Sequence, residues 1–510
     1  MASLKDPGAI LLISCYEQGH QPLSIASPAA VLRAAGYAPA ALDLSQQALD
    51  PVVVRRATLV AISVPMHTAL RLGVRAAERI RAINPEAGIA YYGLYATLNA
   101  VTLLGGTDGA GLDGNGRQVS AVAIIGGECE EPLLRLAEAT ERAGRDGDLA
   151  ATLRQAGPIP GVRTPWYPAS PWIARVEHRL PDRSILPPLS QYVQIEEEAG
   201  RRAAGQVEAS RGCLHRCTHC PIPPVYGGRF FVVPKEIVLA DVRAQVEAGA
   251  THITFGDPDF LNGPGHTMAV ARALHEAFPA VTFDITAKVE HLLKHRDLLA
   301  ELRRLGCLFA VTAAESLSDR VLGILEKGHT RADIEELVAL SRGAGLPLRP
   351  TWVPFTPWSD LDDYLEMLDF AASWDLIDSI DPVQWSIRLL VPPGSLLESH
   401  AEFLPVRGGL DEARFSWTWK HADTRVDALQ RDVAAIAEAA ATAEEDPGIT
   451  FAAVARAAAR ARGAGVGRLV GRAPMAAADL PAAIASPAGM SSAGAGKKGR
   501  TPRLTEPWFC

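Results

Sequence analysis

Short apolar runs separated by amphipathic stretches recur through the first 143 residues, the pattern of a parallel sheet covered by helices. The runs cover residues 9–15, 38–44, 59–65, 89–95 and 119–127. Residues 27–35 and 69–82 between them read as helices that stop at Gly36 and Asn84. This predicts a five-stranded open α/β domain over residues 1–150. The first run is short and Asp6 interrupts its front, so it reads as a buried strand rather than a secretion signal. Glycine-dense residues 105–116 predict a mobile loop.

Proline at 158, 160, 165, 168 and 171, then at 181, 187 and 188, argues against regular structure and predicts a linker over residues 151–200. The β/α rhythm then resumes. Strands are predicted at 207–211, 252–255, 282–287, 308–313, 348–354 and 383–390. Helices are predicted at 235–248, 269–277, 290–305, 331–343 and 361–372. Six such repeats with right-handed crossovers make a partial barrel, residues 201–405. An alanine-rich helical segment follows within 406–471. Residues 472–503 read as a flexible linker, and residues 504–510 as a tail ending Trp508-Phe509-Cys510.

Composition narrows the function. The net charge of −8 leaves no electrostatic footprint for nucleic acid or an anionic membrane, and no apolar run approaches a membrane span. The chain is expected to be soluble. Seven cysteines suit a reducing compartment, the cytoplasm, better than a disulfide framework.

Three of those cysteines form Cys213-x-x-x-Cys217-x-x-Cys220, placed at the carboxyl end of the first predicted barrel strand, the face where parallel barrels carry their active sites. Three thiolates in one loop can hold three corners of an iron–sulfur cube and leave one iron open. The competing reading is a zinc site completed by His215 or His219, in a non-catalytic zinc or iron–sulfur binding module. Zinc motifs usually bring two separated cysteine pairs, and no second pair exists here.

This cysteine spacing at the opening of a six-repeat β/α barrel resembles the radical S-adenosylmethionine (SAM) enzymes, over roughly residues 200–400. The resemblance implies a four-iron, four-sulfur cluster on Cys213, Cys217 and Cys220 that cleaves SAM to methionine and a 5′-deoxyadenosyl radical. That radical abstracts hydrogen from an unidentified substrate, and a flavodoxin or ferredoxin supplies the electron. It implies further cofactor contacts: His219 near the adenine, Gly256, Asp257 and Asp259 near the amino group, Glu315 and Ser316 at the fourth strand, and Thr356 at the fifth. Pro392-Pro393-Gly394 follows the sixth.

The first domain resembles the cobalamin-binding domain of many relatives, including Gly126-Gly127-Glu128. No histidine here has the Asp-x-His-x-x-Gly surroundings that supply the axial ligand, so cobalamin is not expected. The ending Thr505-Glu506-Pro507-Trp508-Phe509-Cys510 resembles the CUAEP/CCAEP-tail radical SAM (seleno)proteins, which also share stretches like Gly19-His20-Gln21-Pro22 and residues 220–229. That resemblance implies that Cys510 takes part in the reaction, and that the natural chain continues past it through selenocysteine into Ala-Glu-Pro.

Overall fold

The computed structural model describes residues 3–105, 121–142, 149–463 and 501–506. Residues 106–116 of the expected mobile loop, nearly all of the linker 472–503, and Cys510 lie outside the described residues.

The first domain is the expected open sheet. Strands β1 (Ile10–Ser14), β2 (Ala40–Asp43), β3 (Leu59–Ser63), β4 (Gly88–Tyr92) and β5 (Ala123–Ile125) pair in parallel, in the order β2-β1-β3-β4-β5. Every residue of β1, β3 and β4 is buried, because helices cover both faces and build a core on each. The strand order reverses at β1, which opens a crevice at the carboxyl ends of β1 and β3.

The span 151–200 is more than a linker. Helix Leu149–Ala156 packs Leu149 and Leu153 into the first domain's core. Strand β6 (Val162–Arg163) adds an antiparallel edge to its sheet. Strand β7 (Gln194–Glu197) belongs already to the second sheet. Proline marks where this segment turns, but two- and four-residue strands fit between the prolines.

The second sheet curls into a half-barrel. Strands β8 (Gly200–Val207), β11 (His252–Phe255), β12 (Thr282–Thr286), β13 (Cys307–Glu315) and β14 (Leu348–Trp352) run parallel in that order. Two predictions are corrected. The first barrel strand is β8, ending at Val207, not residues 207–211. The chain then bends, and β9 (Ser210–Gly212) pairs antiparallel with β10 (Phe230–Val232) in a separate ribbon. The predicted sixth strand at 383–390 is instead a 3-10 turn, Pro382–Ser386, followed by extended chain that touches the sheet through one Phe355–Arg388 bridge. Proline at its start and the buried Trp385 favour that turn.

Helices behave as expected with two breaks. The 290–305 stretch divides into Val289–Lys294 and Leu298–Arg304. The alanine-rich segment divides into Thr424–Thr442 and Pro447–Arg462, where Asp446 caps the second helix and Pro447 occupies its first position. Strands β15 (Arg407–Asp411) and β16 (Ser416–Trp419) form a hairpin beside the barrel. No helix among the described residues is long and apolar enough to cross a membrane.

The tail docks in the barrel seam. Strand β17 (Arg503–Leu504) pairs antiparallel with β7, with Leu504 opposite Ile195. The Thr505 amide donates to the Gln194 carbonyl at 2.8 Å, and the Gln194 amide donates to Thr505 Oγ1 at 3.0 Å. Leu504 packs on Ile195, Leu308, Phe309 and Val311. On the other side Arg349 of β14 donates to the Pro502 carbonyl, and Ser379 meets Thr501 at 2.9 Å. The segment 501–505 therefore bridges the two edges of the half-barrel.

This docking predicts a protection pattern. Ending the chain at residue 500 should speed amide exchange at Gln194 by about tenfold or more, while Gly205 and Gln206 in β8 stay protected. Hydrogen-exchange mass spectrometry of the two chain lengths reads this; equal exchange at Gln194 would show that β17 does not pair in solution.

Candidate active site

The cysteine loop is anchored at both ends and in the middle. Gly212 enters it with φ +77°, and a Cβ there would sit 2.5 Å from the Arg229 carbonyl, so the ribbon needs glycine. Cys213 donates its amide to that same carbonyl. In the middle, Thr218 hangs between the Ile324 carbonyl, reached by its hydroxyl at 2.9 Å, and the Leu325 carbonyl, reached by its amide. Ser395 Oγ and the Leu397 amide then donate to the Thr218 carbonyl, so the Pro392-Pro393-Gly394 region closes over the loop.

The three thiols are unbridged; Cys213 and Cys217 are buried and Cys220 half-buried. Burial pushes the Cys220 thiol up to about 12, with the neighbouring Cys217 and Cys213 thiols adding to the shift, and burial likewise raises Cys213. Thiols that oppose one another's ionisation are the donor set a cationic metal centre relieves. A single zinc ion would need sulfurs about 4 Å apart, from Zn–S bonds of about 2.3 Å. Among the described residues, the one His/Cys/Asp/Glu trio whose ligand atoms all lie within 4.8 Å is His215, Asp259 and His291, not the three cysteines.

The histidines offered as a fourth zinc ligand are engaged elsewhere. His219 Nε2 lies 3.5 Å from Glu315 Oε1. His215 Nδ1 is 2.9 Å from Lys288 Nζ, and its Nε2 is 3.2 Å from His291 Nε2. Burial lowers His215 to about 4, with Lys288 and His291 adding to the shift.

The remaining expected residues divide between a buried ion pair at the end of β13 and the turns of the scaffold. Glu315 ends β13 with φ +64°, a strained conformation for a non-glycine residue, at a register shift between β13 and β14. Its carboxylate accepts from buried Lys327 at 3.1 Å. Burial alone would raise Glu315, but Lys327 and His219 outweigh it and hold the carboxyl well below the usual range. Ser316 Oγ accepts from the Ser318 amide at the next turn. Gly256 donates its amide to Val207, and a Cβ there would press on the Gln206 side chain. Asp257 accepts from the Ala209 amide at 2.9 Å and from Ser210 at 2.6 Å, bending the chain between β8 and β9; burial raises it to about 7. Asp259 accepts from the Leu261 amide and points its other oxygen at His291. Thr356 is fully buried, its hydroxyl taken up by Trp358, Ser359 and their turn. Asp257 and Thr356 thus shape the site through the backbone.

Sequence reading missed Arg211. This residue, two before the first cysteine, meets Glu128 at 2.9 Å, Glu130 at 2.6 Å and Glu208 at 2.8 Å. Tyr226 also donates to Glu128, at 2.9 Å. Gly127-Glu128 stood out in the sequence as a motif of the first domain, and its partner could have been sought among arginines beside the cysteines. Asn262, Lys288 and His291 were missed as well; Asn262 Oδ1 accepts from the Leu214 amide at 3.3 Å and lies 3.8 Å from Cys213 Sγ.

Residues 207–368 match the radical SAM superfamily. A Methanocaldococcus jannaschii protein that carries the name methylthiotransferase is 25% identical over 199 residues, 36% of this chain and 42% of that protein. The ribosomal protein uS12 methylthiotransferase RimO of Desulfosudis oleivorans is 29% identical over 208 residues, 37% of this chain and 46% of its own. The chain thus spans under half the length of these curated relatives. The cobalamin-dependent SAM radical enzyme OxsB, solved with aqua-cobalamin and SAM bound, is similar in fold, with a TM-score of 0.61 at 15% identity over 83% of this chain and 65% of that one.

The Glu315–Lys327 pair generates a stability prediction. Lys327→Met leaves a buried carboxylate without its cation and should cost about 3–5 kcal/mol at pH 7, whereas Lys327→Met with Glu315→Gln should cost much less. Because folding depresses the Glu315 pKa, the pair's contribution is present above the unfolded value of about 4.3 and fades as pH falls below it. Denaturant unfolding at pH 7 and at about pH 4 should show the single variant's deficit shrinking in acid. A deficit independent of pH would refute this electrostatic account.

Proposed function

Because this chain belongs to the radical SAM superfamily, we propose that it is a SAM-cleaving enzyme whose four-iron, four-sulfur cluster sits on Cys213, Cys217 and Cys220. The observation that carries this is the loop itself: three unbridged thiols, two of them buried, in one loop that follows the first strand of a parallel half-barrel. When bound, the cluster supplies the electron that cleaves SAM to methionine and a 5′-deoxyadenosyl radical, which takes hydrogen from a substrate yet to be identified. A flavodoxin or ferredoxin of the cytoplasm delivers that electron. The chain's own residues position the cofactor: the ionised Glu315 and the adjoining His219 face it, Gly256 and Ser316 offer backbone groups, and Asp257 and Thr356 hold the strand-end turns. Asp259 shapes the turn after β11.

The terminal cysteine is the second part of the proposal. Strand β17 is antiparallel to β7, which is antiparallel to β8, so the tail runs in the direction of the barrel strands, toward the cysteine loop. Thr505 lies level with Gln194, and so with Ala203 of β8. Five residues separate Thr505 from Cys510, and fully extended they could span about 17 Å, more than the four residues from Ala203 to the end of β8. Cys510 thereby acts at the barrel mouth as thiol donor, clamp or radical quencher. At the first domain's crevice, Tyr16 donates to Glu506 at 3.0 Å, and Glu506 packs against Gly19. We assign that domain to holding the tail rather than cobalamin.

Protein prepared without oxygen should carry about four irons and four sulfides per chain and convert SAM to 5′-deoxyadenosine under strong reductant. Cys213→Ala, Cys217→Ala and Cys220→Ala should each abolish both, and tight cobalamin uptake should be absent. Stoichiometric zinc on these cysteines in place of iron would sink the proposal.

For the tail, a nitroxide attached to Cys510 should relax faster when the cluster is reduced, and Cys510→Ser should keep SAM cleavage while losing substrate turnover. Unchanged nitroxide relaxation would place Cys510 out of reach of the site.

A further inference from the structure

We propose a second metal site beside the cysteine loop, in which His215, Asp259 and His291 bind one divalent first-row ion of the zinc class. His215 lies between Cys213 and Cys217, Asp259 follows β11, and His291 opens the helix Val289–Lys294. Three separate parts of the barrel mouth converge here, and among the described residues no other trio of such side chains brings its ligand atoms within 4.8 Å of one another.

The spacing suits one ion. His291 Nδ1 lies 2.8 Å from Asp259 Oδ2, His215 Nε2 lies 3.6 Å from the same oxygen, and one ligand atom from each of the three residues lies within 4.8 Å of the others. Donors bonded at about 2.0–2.2 Å around a tetrahedral ion stand about 3.3–3.6 Å apart. Imidazole and carboxylate together select zinc and its first-row neighbours rather than magnesium or calcium.

The burial points the same way. Asp259 is wholly buried, yet its Oδ2 has no hydrogen-bond partner, and neither does His291 Nδ1. The two atoms are within 2.8 Å of each other but not aligned as donor and acceptor. A buried carboxylate with one free oxygen costs several kcal/mol unless a cation meets it.

The surroundings supply the outer contacts of a metal-bound imidazole. Glu290 Oε2 stands 3.6 Å from His215 Nδ1 and can take its proton when Nε2 binds the ion, the carboxylate–histidine–metal arrangement. Lys288 Nζ lies 2.9 Å from that Nδ1 and 3.3 Å from Glu290. Its charge opposes a cation, and the two carboxylates offset it. Three protein ligands leave one position open for water or a substrate oxygen, as in catalytic rather than structural zinc sites.

The test uses the cluster-loaded, full-length chain, exposed to Zn(II), desalted, and analysed for zinc and iron together. Zinc reports this site and iron reports the cluster, so the two readings fail separately. The expected result is about one zinc beside about four irons. Asp259→Asn and His291→Asn should each weaken zinc at least about 100-fold against a competing chelator, with iron unchanged as the check on folding; Glu290→Gln should weaken it about 10-fold. Wild-type protein that keeps its iron but takes up no zinc would overturn the site. So would zinc retained in both ligand variants, or zinc gained only as iron is lost.

Discussion

One guanidinium ties the first domain to the entrance of the cysteine loop. Arg211 sits between β8 and the first cysteine, and its ion pairs run to Glu128 and Glu130 of the first domain and to Glu208 on its own side. Burial alone would lower the Arg211 pKa, but Glu130, Glu208 and Glu128 together hold it well above normal. Burial pushes Glu128 up, while Arg211 overrides burial and holds Glu130 down. Such a cluster adds little net stability over an apolar interface, because desolvation consumes most of the attraction. What it adds is specificity of position. Tyr226 shares Glu128, so the residues on either side of the cysteine loop are fixed to the same point of the first domain.

That constraint explains why an open α/β domain precedes the barrel whatever it binds. Gly19-His20-Gln21-Pro22 lies where the domain meets the barrel: the Gly19 carbonyl accepts the Val193 amide, and Gln21 Oε1 accepts from Arg183, itself paired with Asp241 at 2.8 Å. His20 is buried beside His252 and Asp284 of the barrel, and burial holds it near 4, hence neutral. The loop after β1 thus meets barrel residues and Glu506 of the tail.

Most elements were legible because their signals are local. The strands at 59–65 and 252–255 are apolar runs bounded by turn residues, and the helix at 331–343 begins with Thr330 and Asp333 in a capping box. The cysteine spacing at 213–220 is likewise a local signal. Misreadings occurred where long-range partners decide. Strand β8 begins Gly-Arg-Arg, a polar start that makes sense only with β7 as an antiparallel neighbour. Residues 207–211 read as barrel strand because the β9–β10 ribbon depends on Phe230–Val232, eighteen residues after Gly212. Arg211, Lys288 and His291 carry no local signature, and a two-residue strand such as β17 has no period to detect.

The tail illustrates how weak pairing can still be specific. Its hydrogen bonds to Gln194, Arg349, Ser379 and Tyr16 are each worth about 1 kcal/mol net. Ordering each residue of 501–506 costs about 1–2 kcal/mol. Ordering therefore costs more than these bonds return, and burial of Leu504 against Phe309 and Val311 works to offset the difference. Register then follows from side-chain chemistry rather than from strand length. Leu504 faces the barrel's apolar wall, Arg503 pairs with Glu196, and a slip of one residue would send Leu504 to solvent and Arg503 into that wall. A segment held this way docks in one register and releases at low cost.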